Sequence, residues 1–211
     1  MRGFTLAEVL ITLGIIGVVA ALAIPTLISN NNKRVVETRL AKFYSSINQS
    51  LELSEVENGP KEKWSAMSSF EHPCDWYNKY LADYSKTIEI KPDDEKCLIS
   101  YPDGSLLSLT TNHFHFIPKA KDLKAKDIDN SILGKTSFLF FYDPAPTSNL
   151  TLSKWTINKG IEPYKFRWDG TEDYLRNDSE YGCSEGKGGV YCTALIQYYG
   201  WKIPDDYPFK F

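Results

Sequence analysis

Charge is missing from one long stretch of this chain. Between Phe4 and Asn32 the only ionisable side chain is Glu8. A basic excess is missing too: 24 Lys and Arg stand against 27 Asp and Glu. That balance gives no positive field of the kind that tracks nucleic-acid backbones, so nucleic acid is not an expected partner. There is no internal repeat and no low-complexity tract. The three histidines and many serines support no Ser-His-Asp assignment. No Cys-x-x-Cys pair has structural-zinc spacing. No catalytic set emerges, and the chain is not expected to be an enzyme.

What is present begins with the uncharged run. Phe4 to Ile28 is 25 residues, or about 37 Å as a helix at ~1.5 Å per residue. A hydrocarbon core is about 30 Å thick, so the run can cross it with some tilt. A secretory signal core is shorter, about 7–15 residues, and ends in a small-x-small cleavage site that is missing here. A helical pattern continues instead. Val36, Leu40, Phe43, Ile47 and Leu51 draw one apolar stripe, while Lys33, Arg34, Glu37, Arg39 and Lys42 fill other faces. The spacing predicts one helix from about Phe4 to Val56, ended by Asn58-Gly59-Pro60. Its first half belongs in lipid or among similar helices, and its second half lies on a soluble domain. Gly14, Gly17, Ala20, Ala21 and Ala23 offer close helix–helix approach. The glycines and Pro25 also weaken the helix, which predicts local softness between Gly14 and Pro25.

An acid inside such a run is expensive, about 2.5–3.5 kcal/mol at the centre of a spanning helix, and marks a functional site by default. The segment from Gly3-Phe4-Thr5-Leu6-Ala7-Glu8 to Pro25 resembles the N-terminus of type IV pilins and type II secretion pseudopilins. The likeness covers about the first 30 residues. It rests on the short basic leader, the Gly before an aromatic Phe, the acid five residues after that Gly, and Pro25 near the end of the run. The resemblance implies that a prepilin peptidase cuts between Gly3 and Phe4 and methylates the new Phe4 amine. It also implies an inner-membrane assembly platform and further copies of this or related chains as partners. In a fibre of such subunits the Glu8 carboxylate pairs with the Phe4 amine of a neighbour, which fixes register more than it adds stability. The organisation expected is a leader over residues 1–3, a membrane-spanning or fibre-core helix over 4–28, the amphipathic half of that helix over 29–57, and a head over 58–211. Before assembly the chain would sit in the bacterial inner membrane with a single pass and its head in the periplasm or outside. The alternative is a membrane-anchored extracytoplasmic binding domain that never polymerises.

All four cysteines lie beyond the apolar run: Cys74, Cys97, Cys183 and Cys192. In an oxidising space an even number reads as two disulfides. Three pairings are possible, and Cys74–Cys97 with Cys183–Cys192 is favoured because each encloses a compact local region. One feature opposes export. Lys33, Arg34, Arg39 and Lys42 follow the helix while only Arg2 and the amine precede it, and the positive-inside rule alone would hold the head in the cytoplasm.

The head reads as α+β, a long helix packed on an antiparallel sheet. Loop and short helix are expected over 70–84. Strands are expected at Thr87–Lys91, Cys97–Tyr101, Ser105–Thr110, His113–Ile117 and Ser137–Tyr142, with Pro102-Asp103-Gly104 as a hairpin turn. Thr151–Ile157 and Tyr164–Trp168 are candidate further strands, and 119–130 reads as a loop or solvated helix. The aromatic C-terminal stretch from Tyr198 to Phe211 either forms a contact surface or folds back onto the sheet edge. His113 and His115 share a strand side, as metal-binding histidines would, but lack an evident third ligand. Asp169, Glu172 and Asp173 cluster on an acidic loop. Hard oxygen ligands suit calcium, and some pseudopilins hold it on a late acidic loop, but the spacing is not that of an EF-hand.

Overall fold

The computed structural model describes residue 3 and residues 5–120, 133–144 and 153–211. Helix α1 runs from Leu6 to Asn58 without interruption through Gly14, Gly17 and Pro25. Thr5 caps its start, and Gly59 at φ +73° followed by Pro60 ends it. Its two halves differ as the sequence pattern requires. Leu6 to Ile28 stands almost wholly exposed, whereas Val36, Leu40, Phe43, Ile47 and Leu51 are buried. It is one helix long and apolar enough to cross a membrane, among the described residues.

The buried stripe sits on a six-stranded antiparallel meander in the order β1-β2-β3-β4-β5-β6. The strands are β1 (Glu89–Asp93), β2 (Lys96–Ser100), β3 (Leu106–Thr110), β4 (His113–Ile117), β5 (Phe138–Phe141) and β6 (Glu162–Pro163). The architecture is α+β and pilin-like, as expected. Burial alternates along β2 and β4, the period of two that a sheet packed on one helix imposes. Phe43 anchors the contact: its ring stacks on Phe116 at 4.1 Å and meets Phe140 edge-on at 5.1 Å. Leu133, Leu139 and Phe141 are buried as well, and β5 is buried along its whole length, so it reads as a continuous apolar run.

Two expected strands are corrected. Within the span from Thr151 to Ile157, Ser153–Thr156 is a short helix, α3, and residues 151 and 152 lie outside the described part. Tyr164–Trp168 is not a strand. Pairing with β5 occurs two residues earlier, at Glu162–Pro163. Beyond it Arg167 takes φ +59°, and Trp168 N donates to Lys165 O. A left-handed residue reverses the chain where a strand would have to extend. Of the segment 119–130, only its first two residues are described.

Three short helices complete the head: α2 (Pro73–Tyr80), α4 (Glu172–Asn177) and α5 (Cys192–Tyr198). Disulfides join Cys74 to Cys97 and Cys183 to Cys192. The first ties α2 to β2. The second closes the glycine-rich loop onto the start of α5. Gly134 leaves room for that second bond, since a Cβ there would lie 2.5 Å from Cys192 Sγ. The C-terminal aromatics divide. Trp201 packs on Tyr44 and Phe140, and Phe211 on Phe138 and Tyr207, so these fold back onto helix and sheet. Tyr198 and Tyr199 stay largely exposed.

Candidate assembly site

The start of α1 is a closed hydrogen-bond circuit. Thr5 Oγ1 accepts from Glu8 N at 3.3 Å. The Glu8 carboxylate accepts in return from Thr5 N at 2.8 Å and from Thr5 Oγ1 at 2.7 Å. This is a capping box, a Thr-x-x-Glu arrangement that satisfies two otherwise orphaned N–H groups. Glu8 is therefore hydrogen-bonded within its own chain, and no cation pairs with it among the described residues. Phe4, the residue nominated for cleavage and methylation, lies outside the described residues. Pro25 sits inside the helix, seventeen residues beyond Glu8 by numbering and near the end of the apolar run.

Below the head the helix passes through a polar neck. Glu37, though charged, is buried, and accepts from Ile203 N at 2.9 Å and from Lys202 Nζ at 3.2 Å. Lys33 pairs with Asp205 at 3.0 Å. Lys119 Nζ donates to Asn32 Oδ1 at 2.7 Å. The C-terminal tail is thus bound back to the helix where the apolar run ends. Of the cations that follow the run, the head holds Lys33 through Asp205, Arg39 through the Pro118 carbonyl and Lys42 through Asp103.

Higher on the helix a second buried charge is fully engaged. Tyr44 OH donates to Glu162 Oε1 at 2.7 Å, and Lys165 Nζ donates to Glu162 Oε2 at 3.3 Å and to Gln197 Oε1 at 2.5 Å. Burial pulls the Lys165 ammonium below the ordinary lysine range, and Glu162 opposes that shift. Sequence reasoning missed this cluster, because its members come from α1, β6, the following turn and α5.

The sequence-nominated metal candidates do not converge. Asp169 accepts from Thr171 N and Oγ1 in a turn. Glu172 Oε1 accepts from Arg176 Nε and from Tyr199 OH, both at 2.6 Å. Asp173 accepts from Asn177. Each carboxylate serves the local structure of α4. Among the described residues no group of three or more His, Cys, Asp or Glu side chains is placed to hold a metal ion. His113 packs against Phe141 and Tyr164. His115, paired across the sheet with Ser108 and Leu139, has a buried Nδ1 with no hydrogen-bond partner among the described residues.

His115 has a consequence for pH. Burial first, then His113 and Lys96, lower its pKa from 6.5 to about 4. Between those values the unfolded chain binds a proton that the folded chain refuses. Stability is therefore present above pH 6.5 and is lost as pH falls toward 4, by about 2–3 kcal/mol. His115→Phe should flatten the thermal-stability profile of the full chain in detergent between pH 6.5 and 4. An unchanged slope would show that His115 is not the group responsible.

Two family descriptions match the chain. "Prokaryotic N-terminal methylation motif" covers residues 1–24, and "Family of unknown function (DUF6613)" covers residues 26–211. No curated protein and no solved structure matches. The methylation motif supports the type IV pilin and pseudopilin family and a subunit of that type. It points to a structural protein, to pilin partners and a prepilin peptidase in general, and, with the apolar helix, to membrane anchoring.

Proposed function

We propose, for a chain that belongs to the Family of unknown function (DUF6613) over residues 26–211, that it is a filament subunit of a type IV pilus or a type II secretion pseudopilus. The observation that carries this reading is the methylation motif on an exposed apolar helix whose one acid has no counter-charge among the described residues. Cleavage after Gly3 frees the Phe4 amine, and methylation marks it. In the fibre that amine meets the Glu8 carboxylate of a neighbour. Thr5 keeps the acid hydrogen-bonded until then. Hydrogen bonds tolerate the charge at the membrane edge, whereas a desolvated fibre core requires an opposite charge as well. Leu6 to Ile28 then packs among the same segments of other copies, and the head rides on the buried stripe from Val36 to Leu51.

The capping box gives the alternative some ground, because an acid satisfied within its own chain also suits a plain anchor. The mature N-terminus separates the two. Intact-mass and peptide analysis of the protein from its own cells should show loss of Met1-Arg2-Gly3 and a methyl group on Phe4. Retention of Met1 would favour the tether and end the filament reading.

A further inference from the structure

We infer that the groove at the neck, between Leu27 and Lys202, is a binding site for the phosphate-bearing headgroup of an anionic phospholipid. This rests on the reading of α1 as a membrane-anchored segment before assembly. The groove holds about 640 Å³ and is lined by Leu27, Asn30, Asn31, Lys33, Arg34, Glu37 and Lys202.

Its depth fits. The apolar run ends at Ile28, and Leu27 to Arg34 is seven steps, or about 10 Å along the helix axis. That distance carries the groove from the edge of the hydrocarbon into the headgroup layer, which occupies about 5–8 Å on each side of the core. Leu27 meets acyl chain at one end, and the charged residues meet phosphate at the other.

Its charge fits as well. Three cations line it, Lys33, Arg34 and Lys202, and two acids oppose them. Glu37 is committed to Lys202 and Ile203 N, and Asp205, on the tail, is committed to Lys33. The Arg34 guanidinium makes no hydrogen bond or ion pair among the described residues. A planar guanidinium is suited to two oxygens of a phosphate, and the Asn30 and Asn31 amides add neutral donors. Lys119 adds a further cation at the same level through Asn32. The net positive groove favours an anionic lipid over a zwitterionic one.

The site also gives physical sense to the charge conflict in the sequence. Cations after a spanning helix ordinarily hold that end on the cytoplasmic side. Phosphate contacts on the outer leaflet offset that preference for an exported head. Extraction of the subunit into a fibre would then break the lipid contact along with hydrocarbon burial.

Native mass spectrometry of the full chain released from detergent micelles tests this, with phosphatidylglycerol, phosphatidylcholine and inorganic phosphate titrated separately. Phosphatidylglycerol should be retained at lower concentration than phosphatidylcholine, and millimolar phosphate should not displace it. Arg34→Gln, which disturbs no partner among the described residues, should weaken phosphatidylglycerol retention about fivefold, and Lys33→Gln by a similar factor. Equal retention of the two lipids, displacement by phosphate alone, or an Arg34→Gln chain that binds like the wild type would each overturn the site. None of these outcomes depends on the state of Met1, so the filament reading stands or falls separately.

Discussion

Glu8→Val is expected to enter the membrane normally and to be absent from filaments. Insertion should be at least as good as wild type, since a carboxylate costs up to about 2.5–3.5 kcal/mol in a spanning helix and valine costs nothing. Assembly should fail because the neighbour's Phe4 amine loses its counter-charge. Breaking a desolvated pair by removing one member costs about 3–5 kcal/mol, and each 1.4 kcal/mol is a factor of about ten. Incorporation of a tagged copy into sheared fibres, in cells that carry the wild-type subunit and its machinery, should fall by about a hundredfold or more. The capping box makes two further variants informative. Glu8→Gln keeps an oxygen for Thr5 N and Thr5 Oγ1 but carries no charge, and it should fail like valine. Thr5→Val removes the hydroxyl and keeps the charge. It should lose about 1 kcal/mol of helix capping and still assemble. Normal incorporation of Glu8→Gln would mean that the acid acts through its own chain alone.

The helix and most of the sheet were legible because their signals are local. Val36, Leu40, Phe43, Ile47 and Leu51 recur at helical spacing, and the hairpin turn at Pro102-Asp103-Gly104 sits between two short runs rich in apolar residues. The two strand errors have a local cause too. Thr151–Ile157 and Tyr164–Trp168 carry the β-branched and aromatic residues that strands favour, but Pro163 has no N–H to extend a ladder, and Arg167 adopts φ +59°. The Thr-x-x-Glu cap is an equally local signal, since Thr5 and Glu8 stand three positions apart. The neck and the buried cluster were not legible. Glu37 meets Ile203 across 166 positions, and Tyr44 meets Glu162 across 118. Single-sequence periodicity identifies which residues turn inward, and says nothing of which distant partner waits there.

That buried cluster is where the head should be most vulnerable. Glu162→Ala is expected to cost about 3–5 kcal/mol, because among the described residues it leaves the buried Lys165 ammonium with Gln197 and the faces of Trp155 and Trp168 and no counter-charge. For a chain of this size the melting temperature should drop by about 10 °C. Tyr44 OH loses its acceptor in the same step, so the tie between α1 and the C-terminal part of the head weakens with it. The pH response carries a definite sign. The folded chain holds the Lys165 proton less tightly than the unfolded chain does, so stability climbs as pH rises toward the ordinary lysine value. Without Glu162, which opposes that shift, the climb should be steeper. Replacing both charges, as Glu162→Leu with Lys165→Met, should recover much of the loss, since an apolar pair leaves no charge unpaired. Thermal unfolding of the full chain in detergent, followed by near-ultraviolet circular dichroism at pH 7 and pH 9, compares the wild type, Glu162→Ala and the double variant. If the double variant is no more stable than Glu162→Ala, the damage comes from lost packing rather than from the stranded ammonium.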